Sequence, residues 1–218
     1  MIIDERLSVF IDSFDTGNSP WLDEIEKNAT EMQIPVIRKP MQNLLKFLLA
    51  LSKPKNILEV GTAIGFSALL MSEYGSEDCH ITTIEKYEKR IPVARANFRR
   101  YDREDRITLL EGDAAEILKA LKEPYDLIFM DAAKGQYIHF LPEVLRLLAP
   151  GGILISDNVL QDGDIIESRF AVTRRNRTIH GRMREYLYVL THTVGLKTVI
   201  LPVGDGVTLT TSTGDKDN

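Results

Sequence analysis

Short apolar segments rich in β-branched residues alternate with longer amphipathic segments through most of this chain. Five of the short segments have the length of buried strands, at Asn56–Val60, His80–Glu85, Arg106–Leu110, Tyr125–Asp131 and Gly152–Asp157. The segments between them have the apolar spacing of helices, at Phe66–Tyr74, Tyr87–Arg100, Ala114–Lys122 and Gln136–Leu148. Repeated strand–helix units form parallel sheets with helices on both faces. The alternation therefore predicts an α/β fold with a doubly wound, mostly parallel sheet.

Both ends of the chain add elements to this sheet. Before the first strand, about residues 1–52 hold two helical segments, one opened by Ser19-Pro20 and one at Met41–Leu51. A further helix near Arg182–Thr191 precedes two apolar segments, Lys197–Val203 and Val207–Thr213. The short turn between these two predicts a hairpin, which makes the last strand antiparallel. Because no repeat or long linker interrupts the chain, we expect one domain over residues 1–218.

Composition excludes several classes of protein. The single cysteine, Cys79, cannot form an intramolecular disulfide or a zinc cluster, which favours a reducing, cytoplasmic compartment. No apolar run approaches the ~20 residues of a membrane span, and the acidic N-terminal segment is unlike a signal peptide. The net charge of −5 means that any nucleic-acid contact must come from a local basic patch. We therefore expect a cytoplasmic protein without a membrane partner.

A glycine-containing turn, Glu59–Gly65, follows the first predicted strand, where open α/β sheets bind nucleotide-like ligands. Its glycines lack the G-x-G-x-x-G spacing of dinucleotide sites, so a ligand without a diphosphate is favoured. Glu85 ends the second strand, where a carboxylate can accept ribose hydroxyl protons, and Asp113 follows the third strand, where it can accept from an adenine amino group. The alternative for both acids is capping of the next helix.

Hard oxygen ligands follow the fourth and fifth strands. Asp131 ends one, and Asp157 and Asn158 end the other, so all three are expected at the same sheet edge. Two carboxylates and an amide carbonyl suit Mg²⁺. Lys134, about one turn after Asp131, could act as a general base near the metal. The alternatives are turn or capping roles for the acids and Asn158, and a solvated surface position for Lys134.

Arginines are concentrated after Asn158, at Arg169, Arg174, Arg175, Arg177, Arg182 and Arg184. In a chain of negative net charge such a group can bind phosphates and stack on exposed bases. The alternative is that they pair with Asp162, Asp164, Glu167 and Glu185. His180, within this segment, is expected on the surface.

Four motifs together resemble the metal-dependent class I O-methyltransferases, with the likeness running from about residue 20 to the end. They are Leu58–Ser67, Asp131–Tyr137, Asp157–Leu160 and Pro202–Gly206. The resemblance implies a Rossmann-like, seven-stranded sheet and a homodimer. It also implies that S-adenosylmethionine contacts Ile37, Glu59, Gly61, Ser67, Glu85, Asp113, Ala114 and Asp131. Mg²⁺ would be held by Asp131, Asp157 and Asn158, with Lys134 as the base, and Ile37 replaces a larger thioether side chain.

Within that family, the run Asp131–Tyr137 and the arginine-rich segment are most similar to bacterial tRNA 5-hydroxyuridine methyltransferases. This narrower likeness implies methylation of 5-hydroxyuridine at the wobble position to 5-methoxyuridine, with the tRNA anticodon loop as partner. The residues expected to contact RNA are Arg174, Arg175 and Arg177. The alternative acceptor is a small catechol-like phenol, because it also presents two neighbouring oxygens to a metal. A dehydrogenase is disfavoured by the glycine spacing, and a non-catalytic binding protein by the metal and base residues.

Overall fold

The computed structural model describes residues 4–168, 170–174 and 176–213. Its strands are β1 (Asn56–Val60), β2 (His80–Glu85), β3 (Ile107–Glu111), β4 (Tyr125–Met130), β5 (Leu148–Ser156), β6 (Leu196–Leu201) and β7 (Val207–Ser212). Its α-helices are α1 (Glu5–Asp12), α2 (Pro20–Glu31), α3 (Lys39–Ser52), α4 (Phe66–Tyr74), α5 (Ile91–Arg100), α6 (Ala114–Ala120), α7 (Tyr137–Leu147) and α8 (Arg177–His192). Short 3₁₀ helices cover Lys134–Gln136 and Gln161–Ile166.

The seven strands form one sheet in the order β3-β2-β1-β4-β5-β7-β6. Neighbours among β1 to β5 are parallel, whereas β7 runs antiparallel to both β5 and β6. The predicted doubly wound, seven-stranded sheet with an antiparallel last strand is therefore confirmed. The order reverses at β1 and β4, which places a crevice beyond the carboxyl ends of these strands.

Each face of the sheet packs against its own group of helices. One buried cluster joins β-strand side chains to α2, α3, α4 and α5, with Leu22, Leu45 and Leu69 among its members. The other joins the opposite face to α6, α7 and α8 through residues such as Val144 and Met183. Both faces of the central strands are thus covered, which explains why β1 and β4 consist largely of apolar residues. None of the helices in the described ranges is long and apolar enough to cross a membrane.

Three helices, not the predicted two, precede β1. The additional helix, α1, is capped by the side chain of Asp4, which accepts hydrogen bonds from the N–H groups of Arg6 and Leu7. It has no buried residue, and its apolar side chains, Leu7, Val9, Phe10 and Ile11, are exposed.

Two other helices begin at positions that differ from the prediction. α5 starts at Ile91 and not Tyr87, because the Glu85 carboxylate accepts from the N–H groups of Lys86 and Tyr87 and holds them in a turn. α8 starts at Arg177 and not Arg182.

The prediction that His180 lies on the surface is wrong. Its side chain is 2% exposed, and its Nε2 lies 3.1 Å from the Glu167 carbonyl oxygen. His180 belongs to the buried face of α8 with Met183, Tyr186 and Leu190, which recur at helical spacing.

Candidate active site

A cavity of about 620 Å³ lies at the carboxyl ends of the parallel strands. Seven of the eight predicted cofactor residues line it, namely Ile37, Gly61, Ser67, Glu85, Asp113, Ala114 and Asp131. The predicted base and the remaining metal ligands, Lys134, Asp157 and Asn158, line it as well. The fold therefore brings residues from distant parts of the sequence to one concave surface, which is where ligands bind in this class of sheet.

The glycine turn after β1 lies close to the end of β4. Gly61 has a φ of +110°, and a Cβ atom at this position would lie 2.2 Å from the Asp131 carbonyl oxygen. Its N–H donates to the carbonyl of Ile84, 3.1 Å away, at the end of β2. Only glycine fits both the conformation and the space, so the backbone itself forms part of the cavity wall.

Glu85 connects the two turns that border this wall. Its Oε2 accepts from the N–H of Ala63 at 2.8 Å, and its Oε1 accepts from the N–H groups of Lys86 and Tyr87 at 2.9 and 2.8 Å. Each carboxylate oxygen has two lone pairs, so Oε2 retains capacity for a ligand hydroxyl.

Asp113 combines a capping role with a place in the cavity wall. Its side chain caps α6 by accepting from the Ala115 N–H at 2.9 Å, and it also accepts from Lys86 Nζ at 3.2 Å. These contacts, the backbone hydrogen bond first, lower the pKa of Asp113. The capping role expected as the alternative is therefore present, and Asp113 also lines the cavity.

Glu59 lies behind the cavity wall and is completely buried. Its Oε2 accepts a hydrogen bond from Thr83 Oγ1, whose oxygen lies 2.6 Å from that of Thr62. Burial raises the pKa of Glu59 to about 7, although the hydroxyls of Ser67 and Thr83 oppose this shift. The glycine turn after β1 is therefore supported by a carboxyl group whose charge changes with pH near neutrality.

Asp131 and Asp157 follow the neighbouring strands β4 and β5, and the N–H of Asp157 donates to the Met130 carbonyl at 3.0 Å. Burial, followed by the nearby charge of Asp131, raises the pKa of Asp157 to about 7. Burial also raises the pKa of Asp131, against the effect of Lys134. A bound cation can stabilise the ionised forms of two neighbouring carboxyl groups, one buried and one partly buried, whose pKa values are raised in this way.

No group of three or more histidine, cysteine, aspartate or glutamate side chains within the described ranges is arranged to hold a metal. The set predicted from sequence is of a different kind, because it contains two carboxylates and the amide of Asn158. That residue has a φ of +58°, and its Nδ2 donates to Asp205 Oδ2 at 3.3 Å. Its amide oxygen is then available as a ligand.

Arg38 and Asp205 line the same cavity and were missed by the sequence interpretation. Arg38 Nη1 lies 2.7 Å from Asp205 Oδ1 and 3.8 Å from Asp162 Oδ1. The turn between β6 and β7 is also joined to the segment after β5, because the N–H groups of Val159 and Leu160 donate to the carbonyls of Gly206 and Asp205. In the sequence, the only indication of this pair is the position of Asp205 in the Gly204–Gly206 turn.

Lys134 begins the 3₁₀ helix after β4 and is partly buried in the cavity wall. Arg182 of α8 donates to the Gly135 carbonyl at 3.0 Å and so attaches this short helix to α8. The base candidate therefore lies on a segment that is attached to α8.

The arginine-rich segment lies outside the cavity wall in the described ranges. Arg174 is exposed, whereas Arg177 is partly buried and donates to the carbonyls of Val172 and Phe170. Arg184 donates to the Ile165 carbonyl at 3.0 Å. The described arginines of this segment form no ion pairs with Asp162, Asp164, Glu167 or Glu185, while Arg169 and Arg175 lie outside the described residues.

Comparison with known proteins agrees with this arrangement. A catechol O-methyltransferase from Niastella koreensis is 35% identical over 127 residues, which span 56% of this chain and 58% of that enzyme, less than two thirds of its length. A candidate caffeoyl-CoA O-methyltransferase from Staphylococcus aureus has a structure that superposes with a TM-score of 0.87 at 31% identity, covering 96% of this chain and 100% of that one. The S-adenosylhomocysteine-bound methyltransferase PaMTH1 from Podospora anserina gives a TM-score of 0.86 at 29% identity, with 98% and 95% coverage.

The profile of one protein family matches nearly the whole chain, from residue 13 to residue 213. This range includes every cavity residue discussed above. The chain therefore belongs to the O-methyltransferase family.

Proposed function

We propose that this protein is a cytoplasmic, S-adenosylmethionine- and Mg²⁺-dependent O-methyltransferase that converts 5-hydroxyuridine at the tRNA wobble position to 5-methoxyuridine. One observation carries the proposal. A single cavity joins the glycine turn and Glu85, suited to a nucleoside, to the oxygen ligands Asp131, Asp157 and Asn158. A methyl donor and a metal-bound acceptor can therefore meet in one place.

The residues fit S-adenosylmethionine. Gly61 leaves open the space that a Cβ atom would fill, Glu85 has acceptor capacity for ribose hydroxyls, and Asp113 faces the same cavity. The Podospora anserina relative binds S-adenosylhomocysteine, which is the product of methyl transfer from this donor. When bound, the cofactor supplies an electrophilic methyl group on a sulfonium.

The residues also fit Mg²⁺, which prefers oxygen ligands and leaves positions open for substrate. Asp131, Asp157 and Asn158 would hold it, and its charge would offset the burial and the repulsion from Asp131 that together raise the pKa of Asp157 to about 7. When bound, the ion supplies Lewis acidity toward two neighbouring acceptor oxygens.

Lys134 performs the proton transfer in this proposal. Its neutral amine accepts the proton of the acceptor hydroxyl, and the resulting oxygen forms a bond to the methyl carbon while the carbon–sulfur bond breaks. The electron pair of that bond remains on sulfur, which becomes the neutral thioether. The 3₁₀ helix and its bond to Arg182 hold Lys134 at the wall where this transfer occurs.

The arginine-rich segment supports an RNA acceptor. Exposed Arg174 and its sequence neighbour Arg175 lie between β5 and α8, and Arg177 is the first residue of α8, in a chain whose net charge is −5. Arginines in this setting contact backbone phosphates and stack on splayed bases, as an anticodon loop requires. A second candidate acceptor, a small catechol-like phenol, is favoured by the likeness to the Niastella koreensis enzyme.

A side-by-side assay distinguishes the two acceptors. Purified protein with S-adenosylmethionine and Mg²⁺ is given tRNA that carries 5-hydroxyuridine or, separately, catechol. We expect 5-methoxyuridine to form at the higher kcat/KM. Preferential methylation of catechol, or unchanged 5-methoxyuridine in tRNA from a deletion strain, would overturn the tRNA assignment.

We also propose that the chain forms a homodimer. α1 and the turn after it carry five apolar side chains that are each about half exposed or more: Leu7, Val9, Phe10, Ile11 and Phe14. An isolated helix of eight residues is marginal in water, and adjacent apolar side chains of this size mark interaction surfaces. A second copy of the chain is the simplest cover for this face.

A further inference from the structure

One buried hydroxyl group reaches both strand ends that carry the proposed metal ligands. Tyr137, the first residue of α7, is completely buried. Its Oη lies 2.9 Å from the Met130 carbonyl oxygen and 3.2 Å from the Asp157 carbonyl oxygen, so these two acceptors share its one proton. Met130 immediately precedes Asp131, so this single side chain contacts the backbone beside one carboxylate and the backbone of the other.

These contacts add to the backbone hydrogen bonds at the ends of β4 and β5. The last residues paired between β4 and β5 are Met130 and Ser156, so Asp131 and Asp157 lie just beyond the ladder. The Met130 carbonyl accepts from the Asp157 N–H, and its second lone pair is available for the tyrosine hydroxyl. Tyr137 thus extends the hydrogen bonding between the two strands by one step.

We infer that Tyr137 is a positioning residue for the proposed metal site: its hydroxyl fixes the separation of the two strand ends and hence of the Asp131 and Asp157 carboxylates. This inference rests on the proposed function. Tyr137 also follows Lys134 by three residues, so it anchors the segment that carries the base candidate. Groups that orient metal ligands commonly change metal affinity about 10-fold to 100-fold when removed.

A neighbouring tyrosine provides a matched control. Tyr186 is also completely buried and packs edge-on against Tyr137, with ring centroids 5.5 Å apart. Its hydroxyl, however, pairs with the Ser156 side chain at 2.6 Å and not with a backbone group of a proposed ligand. Tyr137→Phe and Tyr186→Phe therefore each delete one buried hydroxyl from the same cluster.

The experiment measures Mg²⁺ affinity by titration calorimetry, with Mn²⁺ binding by electron paramagnetic resonance as a second probe. We expect Tyr137→Phe to weaken binding ~10-fold or more, and Tyr186→Phe to stay within about twofold of the parent. Both variants should lower the unfolding midpoint by a few degrees. Excess Mg²⁺ should restore kcat in Tyr137→Phe, because only ligand placement is changed.

Several outcomes would overturn the inference. If Tyr137→Phe binds Mg²⁺ as tightly as the parent, or if Tyr186→Phe weakens Mg²⁺ binding as much as Tyr137→Phe does, the positioning role is disproved. If Tyr137→Phe is too unstable alone, the titration is repeated with saturating S-adenosylhomocysteine, which stabilises the folded state. Asp157→Ala separates the proposed metal site from the positioning role of Tyr137. If the parent binds Mg²⁺ no more tightly than Asp157→Ala does, the metal site is disproved, and the positioning role is disproved with it.

Discussion

Glu59 places an ionisable carboxyl group in the interior, next to the glycine turn after β1. Its pKa, raised by burial from 4.5 to about 7, means that the folded chain keeps a proton that the unfolded chain releases. Its contribution to stability is fully present below about pH 4.5 and is lost as pH rises toward 7. Asp157 shifts in the same direction, so the effect of Glu59 must be isolated by substitution.

We expect Glu59→Gln to reduce the pH dependence of stability, because glutamine carries no charge at any of these pH values. Between about pH 5 and about pH 8, the free energy of unfolding of the parent should fall further than that of Glu59→Gln. The expected difference is on the order of 3 kcal/mol. Urea unfolding in metal-free buffer at both pH values measures this difference. Parallel pH profiles for the two proteins would contradict the argument.

Lys134 permits a separate test of charge and proton transfer. Lys134→Ala should bind Mg²⁺ and S-adenosylhomocysteine normally but lower kcat by ~10²-fold or more. Lys134→Arg keeps the positive charge, yet arginine does not deprotonate near neutral pH, so it should be similarly slow. Rapid-quench methyl transfer measures the chemical step, and recovery of the parent rate in Lys134→Arg would exclude the base role.

At this scale the sequence predicted which residues meet but not how they are held. Lys134 and the three proposed metal ligands all follow parallel strands, and topology alone brings such positions together. The pair Arg38 and Asp205 joins residues 167 positions apart, and no local pattern encodes that contact. His180 was misplaced because the predicted helix began near Arg182, so its helical spacing with Met183 and Tyr186 was not recognised.

Among the elements, the central strands were the easiest to predict. They are covered on both faces, so their apolar runs are continuous and their ends are marked by glycine or charged residues. α1 is the opposite case, because it is only eight residues long and none of its residues is buried against the rest of the described structure.

The exposed face of α1 yields a prediction for assembly. Replacing Val9 and Phe10 together by glutamate should convert a dimer to a monomer, because charges would be buried in the interface. Light scattering coupled to size exclusion gives the mass directly. Val194→Glu, at an equally exposed apolar position between α8 and β6, should leave the mass unchanged. A monomeric parent would contradict the dimer proposal.

For the whole molecule, metal binding should appear as thermal stability. A ligand that binds only the folded state at about tenfold its Kd adds about 1.4 kcal/mol, which corresponds to a rise of about 3–6 °C in Tm for a chain of this size. We expect this rise with Mg²⁺ in the parent, its reversal by chelator, and its absence in Asp157→Ala. Differential scanning calorimetry measures it, and an equal rise in Asp157→Ala would place the ion elsewhere.

The hydrogen bonds between the β6–β7 turn and the segment after β5 limit how this scaffold can be altered. Hairpin tips usually accept insertions, but this one is held through the carbonyls of Asp205 and Gly206. A longer tip would pull Val159 and Leu160 away and disturb the neighbouring Asn158. An engineer who seeks a new acceptor should therefore keep the length of this hairpin unchanged.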